Sequence, residues 1–443
     1  MEENRREEIL DLIEEEDVEF IRLQFTDMCG NMKNIAITAG QMEKAFRNHC
    51  VIEGAPLPGF GGEKTGDLFL APDLSTFAIL PWRPQQGKVA RFICDILKAD
   101  GTPLAESPRH ILKRTLEKAG QYGYTFQVGT ELEFFLFHTD DNGLPTTITH
   151  EQAGYLDLSP LDLGENARRD MVLTLEDMGI VVESSQHELA PAQHEIDFRY
   201  AESLKAADEI MTAKMAMRTI AKRHGLHATF MPKPVMGEEG SGMHMYLSLE
   251  KNGRNIFADD SDPLGLSREA YWFMGGIMHH INALMALTNP LVNSYKRLIP
   301  DFEAPVWAAW SAENGSQLIR IPSIKGEHTR LELRWPDPSA NPYLVHAACL
   351  AAGLWGIEHK TEPPAQAPAR IKRMDEEEIE ALGIRRVPQS LPEALLYLER
   401  DELMRDVLGE TFLRRYVREK RKEWQSYAAE VSEWEIKRYL YRI

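Results

Sequence analysis

Glu195-Ile196-Asp197-Phe198-Arg199-Tyr200 sets the fold class, because polar and apolar residues alternate along it as they do on a strand with one buried face. Ser203 to His224, just downstream, carries a helical pattern, and His244 to Leu249 alternates again. Glu133 to Phe137 is a further strand-like run upstream. Short alternating strands parted by helices in this irregular order imply an α+β fold with an antiparallel sheet, not repeated βαβ units.

Towards the N-terminus, a short acidic helix is expected over Glu7 to Glu16, and Val18 to Phe25 alternates as a strand that ends at Thr26-Asp27-Met28-Cys29-Gly30-Asn31. Strand-like runs recur at Phe77 to Pro81 and Val89 to Ile96, so residues 17–98 read as a small, mainly β domain. After the turn Asp100-Gly101-Thr102-Pro103, Ser107-Pro108 offers a serine N-cap and a first-turn proline for a helix beginning near Arg109. A larger domain, residues 104–443, is expected from there. Glu362-Pro363-Pro364-Ala365-Gln366-Ala367-Pro368 is loop-like, and Leu391 to Ile443 is rich in charged helix formers, read as solvated helix faces.

A chain of 443 residues suits two domains of unequal size. Its 50 basic and 69 acidic residues leave a net charge of −19, which argues against nucleic acid or an anionic membrane as a partner. No apolar run approaches the roughly eighteen residues of a membrane span, and the start lacks the apolar core of a secretion signal, so a cytoplasmic protein is expected. Cys29, Cys50, Cys94 and Cys349 are scattered without a Cys-x-x-Cys pair and read as reduced thiols.

Chemistry concentrates in a few fragments. Glu131-Leu132-Glu133 is read as the start of an apolar strand, its two carboxylates expected on opposite faces, where two adjacent ions could use them more easily than one. Gln186-His187-Glu188-Leu189-Ala190-Pro191-Ala192-Gln193-His194-Glu195 brings two more glutamates across a proline-containing turn. Gly240-Ser241-Gly242-Met243-His244 and Arg330-Leu331-Glu332-Leu333-Arg334 follow. Singly, each has a plain alternative: solvated acids at a strand edge, a satisfied structural histidine, a surface ion-pair ladder.

Together these fragments resemble the glutamine synthetase family, bacterial type I, and the resemblance covers nearly the whole chain. Phe25-Thr26-Asp27, Val89 to Asp95, Tyr155-Leu156-Asp157-Leu158, Gly225 to Pro234, Asn293 to Leu298, Ile319 to Pro322 and Asn341-Pro342-Tyr343-Leu344 are similar to that family's segments in collinear order. The resemblance implies a β-grasp N-terminal domain, a catalytic domain, and ligation of a carboxylate to ammonia or an amine through an acyl phosphate, with ATP as substrate. It implies that Glu133, Glu188 and Glu195 hold one divalent ion, Mg²⁺ or Mn²⁺, and Glu131, His244 and Glu332 a second. Oxygen-rich ligation with one imidazole suits those metals.

By the same resemblance Arg297 and Arg334 grip the substrate's carboxylate and the phosphates, and Arg320 and Arg330 are nucleotide-side cations. Glu131, Glu239 and Gly240 lie at the amino acid substrate, Glu303 closes over the site as a flap, and Tyr200, Tyr246 and Ser248 fall among the nucleotide contacts. A loop containing Glu53 is implied to reach the site from a neighbouring subunit of a ring-shaped homo-oligomer, typically a dodecamer.

The sequence departs from the family at the site itself. Glu53-Gly54-Ala55-Pro56 replaces Asp-Gly-Ser-Ser, whose aspartate binds and deprotonates ammonium. Glu239 stands where the family has asparagine, and Asn314-Gly315-Ser316 lacks an arginine that faces the transferring phosphate. Such an arginine contributes about 10³–10⁵ in rate, so turnover is expected to be slow unless Lys325 or another cation compensates. No counterpart of the adenylylated tyrosine stands around Ala369 to Met374. Glutamine formation is the leading expectation, with a γ-glutamyl ligase for a primary amine or polyamine, or a low-activity regulatory homologue, as alternatives.

Overall fold

The computed structural model describes residues 2–61, 66–83, 86–300, 304–313, 317–369 and 371–443; Glu303 and Gly315 lie outside the described residues. Two sheets organise the chain. In the first, β1 (Val18–Thr26), β2 (Met32–Thr38), β3 (Cys50–Glu53), β4 (Asp67–Pro72), β5 (Ala78–Ile79) and β6 (Lys88–Leu97) form the order β2-β1-β6-β4-β3, with β5 against β6. Its central pair, β1 and β6, is parallel in an otherwise antiparallel sheet, the mark of a β-grasp. The register sets Ile21 beside Ala90 and Leu23 beside Phe92, all fully buried. The helix Glu2–Glu15 adds Ile9 and Ile13 to the same core.

The second sheet comprises β7 (Tyr124–His138), β8 (Val182–His187), β9 (Gln193–Glu202), β10 (Leu226–Thr229), β11 (Met243–Lys251), β12 (Arg254–Asn255), β13 (Trp310–Ser311), β14 (Ile319–Arg320) and β15 (Leu331–Leu333). They run β13-β14-β15-β11-β7-β9-β8, with β10 on β7 and β12 on β11. All pairs are antiparallel except β13 with β14, as an α+β fold requires. One face buries Leu132, Phe134, Ile196, Met245, Leu247 and Leu331 in a core shared with the helices Ser203–Arg223, Arg268–Thr288 and Pro342–His359. The last of these is apolar nearly all round, as a helix with neighbours on every side must be. It crosses Arg268–Thr288 so closely that a Cβ on Gly276 would stand 2.7 Å from the Gly356 Cα.

Arg109 joins the two parts. Its guanidinium donates to Asp208 at 2.8 and 3.0 Å, to Asp95 at 2.9 Å and to Asp73 at 2.7 Å, while the Tyr343 hydroxyl donates to Asp208 at 2.6 Å. The helix Pro108–Gln121 begins where Ser107-Pro108 predicts, but the buried Ser107 hydroxyl makes no capping bond, so the proline alone marks its first turn. Among the described residues no helix is long and apolar enough to cross a membrane.

Candidate active site

The register of the second sheet assembles most of the acids singled out above. One cross-strand row reads His244, Glu131, Asp197, Ser184 along β11, β7, β9 and β8. The next row reads Glu133, Glu195, Gln186. A third, on the other side, reads Arg320, Glu332, Tyr246, Gly129. Adjacent strands lie about 4.8 Å apart, so each row places its side chains in contact range. Residues i and i+2 share a face, so Glu131 and Glu133 point into one pocket and not to opposite faces as read from the sequence. They also lie in the middle of β7 instead of at its start.

The pocket, of about 430 Å³, is lined by Glu131, Glu133, Glu195 and His244 together with Glu188, Glu239, Gly240, Arg297, Arg320 and Arg334. Ligand atoms of Glu131, His244 and Glu332 lie within 4.8 Å of one another, and so do those of Glu133, Glu195 and His244. Glu188 enters from the turn after β8; Gln186 donates to it at 3.2 Å and to Glu195 at 2.8 Å. Gln193 donates to Glu133 at 2.9 Å. Neither glutamine was picked out from the sequence, although each stands two positions before a glutamate, on the same face.

Like charges directly opposite on a sheet are destabilising, and two unit charges 4 Å apart repel by about 4 kcal/mol at an effective dielectric near 20. Protons absorb part of this. Burial and the Glu133 carboxylate raise Glu188 to about 7 and hold Glu195 well above the usual carboxylate range. Burial lifts Asp197 to about 6 against a hydrogen bond from Ser184. Glu131 goes the other way: burial would raise it, but His244 donates at 2.8 Å and Tyr246 donates beside it, bringing it to about 2. Glu332, fully buried, is gripped by Arg320 and by Arg334 at 2.5 Å. The donor set is all oxygen apart from one imidazole, and the Arg334 Nε is buried without a partner among the described residues. Divalent, oxygen-seeking cations fit such a set.

Residues 17–99 match the family model for the glutamine synthetase β-grasp domain, and residues 105–439 that for the glutamine synthetase catalytic domain. The chain belongs to the glutamine synthetase family. A protein named glutamine synthetase from Clostridium saccharobutylicum is 53% identical over 435 residues, 98% of each chain. Another from Staphylococcus aureus strain Mu50 is 47% identical over 436 residues, again 98% of each. A solved structure of a GmaS/ADP complex has a TM-score of 0.88 at 31% identity, covering 97% of this chain and 99% of its own. Apo GmaS without ligand gives 0.87 at the same identity. This protein is thus a carbon–nitrogen ligase of the glutamine synthetase family, a family that uses ATP and divalent metals.

A second cavity, of about 650 Å³, adjoins the third row and holds Tyr200, Ser248 and Arg330. Arg330 lies over Tyr246, 4.4 Å from the ring centroid, and 5.3 Å from that of Tyr200, with its buried Nε unpartnered among the described residues. Gly129 makes room here, since a Cβ would stand 2.7 Å from the Tyr200 ring. Arg320, expected among the nucleotide-side cations, lines the acid pocket. Lys325 does not line that pocket; it donates to the Pro263 carbonyl at 2.7 Å. Glu53, on β3 opposite Asp67, is exposed and does not line the pocket of its own chain.

Proposed function

We propose that this glutamine synthetase family ligase makes glutamine from glutamate, ammonia and ATP. The observation that carries the reading is the pair of opposed acid rows with three arginines at their rim, joined to 53% identity with a protein named glutamine synthetase. Glu133, Glu188 and Glu195 would hold one divalent cation, and Glu131, His244 and Glu332 another. When bound, these ions supply the positive charge that makes the acids tolerable and draws in phosphate.

Glutamate's side-chain carboxylate would attack the γ-phosphorus of ATP, releasing ADP and leaving a γ-glutamyl phosphate; the nitrogen of ammonia then attacks the acyl carbon and phosphate departs. Arg297 is set for this by the main chain: it donates to the carbonyls of Trp335 at 2.9 Å and Arg334 at 3.1 Å, which fix its guanidinium plane beside the acids. Arg334 would offer its unpartnered Nε to substrate. Arg330, Tyr200 and Ser248 would cradle the nucleotide, and Glu303 would exclude water from the acyl phosphate.

Glu53 would come from a second copy, since its own chain leaves it away from the pocket. An assembly also suits the last helix, Glu433–Tyr439, which buries none of its residues and exposes Trp434, Ile436 and Tyr439. A homo-oligomer with sites between subunits, and domains spanning 17–98 and 104–443, belong to the same proposal.

A second reading, ligation of a primary amine, is favoured by Glu53-Gly54-Ala55-Pro56 and by the likeness to GmaS, a gamma-glutamylmethylamide synthetase. An alkyl stem gains about 0.8 kcal/mol per buried methylene that ammonia cannot. Phosphate release from ATP and glutamate, measured with ammonia, methylamine, ethylamine and polyamines in Mg²⁺ and Mn²⁺, separates the two. Ammonia should be the best acceptor; methylamine ahead of it sinks glutamine synthesis as the function, and silence with every acceptor points to a regulatory homologue.

A further inference from the structure

Beneath the acid pocket, on the other face of the sheet, β8 and β9 set His187 opposite His194, ring centroids 4.9 Å apart and edge to face. Each stands one residue before a proposed metal ligand, Glu188 or Glu195. The Glu151 carboxylate, only 3% exposed, reaches them from an irregular loop. One of its oxygens accepts from His187 Nε2 at 2.7 Å and from the Ala192 N–H at 2.6 Å. The other accepts from the N–H groups of Leu163 at 2.7 Å and Gly164 at 3.2 Å.

His187 Nδ1 in turn donates to the Glu188 carbonyl at 2.6 Å. Both ring nitrogens therefore face acceptors. Alongside, Arg168 donates to Asp162 at 2.8 Å and to His194 Nδ1 at 2.7 Å. The ligand atoms of Glu151, Asp162, His187 and His194 are close enough to hold an ion. Yet Arg168 and His187 already pair with the two carboxylates, and the N–H groups of Ala192, Leu163 and Gly164 fill the remaining acceptor positions of Glu151, so the cluster is saturated without an ion.

We propose that Glu151 is a positioning residue for the metal site. It gathers donors from the β8 end, the 188–192 turn and the 163–164 segment onto one carboxylate, and so fixes the turn that presents Glu188. The same knot holds the loop that brings Tyr155 to the pocket, because the Leu156 N–H donates to the His187 carbonyl at 3.0 Å. The inference rests on the metal assignment made above.

The test is Mn²⁺ binding to the full-length protein, read by electron paramagnetic resonance and calorimetry beside steady-state kinetics. Glu151→Gln puts an amide donor where an acceptor oxygen stood, stranding one pair of donors. Its Mn²⁺ affinity is expected to fall tenfold or more, with the Mn²⁺ KM rising in step and kcat at saturating metal held within about threefold. Glu151→Asp, which keeps both acceptors on a shorter arm, should recover part of the loss. Wild-type affinity in a folded Glu151→Gln protein overturns the inference, as does an ion that survives EDTA dialysis in the wild type and is missing from the variant, which would make the cluster a structural metal site. Absence of Mn²⁺ binding in the wild type, or unimpaired binding in Glu195→Gln, would instead overturn the metal assignment itself. Should Glu151→Gln not accumulate folded, His187→Phe breaks the same link, because a ring without nitrogen offers no donor to Glu151 or to the Glu188 carbonyl; unchanged Mn²⁺ affinity there overturns the inference equally.

Discussion

The two faces of the second sheet, a few ångströms apart, treat buried acids in opposite ways. On the pocket face Glu131, Glu133, Glu195 and Asp197 oppose one another across strands, with Glu188 beside them and His244 among them. On the other face Glu151 and Asp162 meet His187 and Arg168. The result is a reversal of proton affinity: Glu188 is raised to about 7 by burial and by Glu133, whereas Glu151, which burial alone would raise, is brought to about 2 by His187 and its backbone donors. Where a charge serves the fold, the chain supplies its own counterion. On the pocket face Arg320 and Arg334 hold Glu332 and His244 pairs with Glu131, but the crowded Glu188 and Glu195 are left to a ligand, and that imbalance locates the site.

The largest effect should come from filling the space left for that ligand. A Cβ on Gly242 would stand 2.6 Å from Arg297 Nη2, 2.9 Å from Glu133 Oε1 and 3.1 Å from His244 Nε2. Gly242→Ala must therefore push apart an arginine and two proposed metal ligands. A loss of about 100-fold or more in kcat/KM is expected, since displacements of about 1 Å cost that much. An alanine variant with wild-type turnover would show that the pocket is looser than its geometry implies.

The comparison sharpens if each face loses one charge. Arg168→Met leaves Asp162 buried without its cation and should cost about 3–5 kcal/mol in denaturant unfolding. Glu195→Gln removes an acid already crowded by others, so in EDTA its unfolding should move to equal or higher denaturant while Mn²⁺ binding is lost. Equal destabilisation by both changes would erase the distinction between the faces.

How far the sequence discloses this follows from which features are periodic. Ser203 to His224 corresponds to the helix Ser203–Arg223, and Glu195 to Tyr200 and His244 to Leu249 lie within β9 and β11, because apolar periodicity is a local property. The length of β7 is not legible: only Glu131 to Phe137 reads as strand, since Gly129-Thr130 interrupts the apolar run where the strand becomes the floor of the site. The pairing of Glu133 with Glu195 and of Glu131 with Asp197 depends on register, which strand patterns leave open until the partner is known. Glu151 gives no signal at all. Its partners lie 12 to 41 positions away and converge only when an irregular loop closes over the hairpin.

The smallest predicted effect separates the faces by pH alone. In metal-free protein Glu188 is raised to about 7 from its usual 4.5, so below pH 4.5 it is protonated folded or unfolded and carries no penalty. Between pH 4.5 and 7 the unfolded chain releases a proton that the folded chain keeps, and stability falls as pH rises; above 7 the penalty is complete. Glu151 adds no slope in this window, because its depressed value makes its contribution fully present above 4.5 and lost only as pH falls towards 2. Glu188→Gln should therefore gain on the wild type from pH 4.5 to 7 in EDTA and then hold a constant lead, on the order of 1 kcal/mol once solvent screening of this half-buried group is allowed for. Mn²⁺ at pH 8 should close the gap by stabilising the wild type, since the cation takes over the charge that the proton neutralised. A difference between the two proteins that stays flat from pH 4.5 to 8 in EDTA would mean that the acids do not crowd Glu188, and the contrast between the two faces would lose its electrostatic basis.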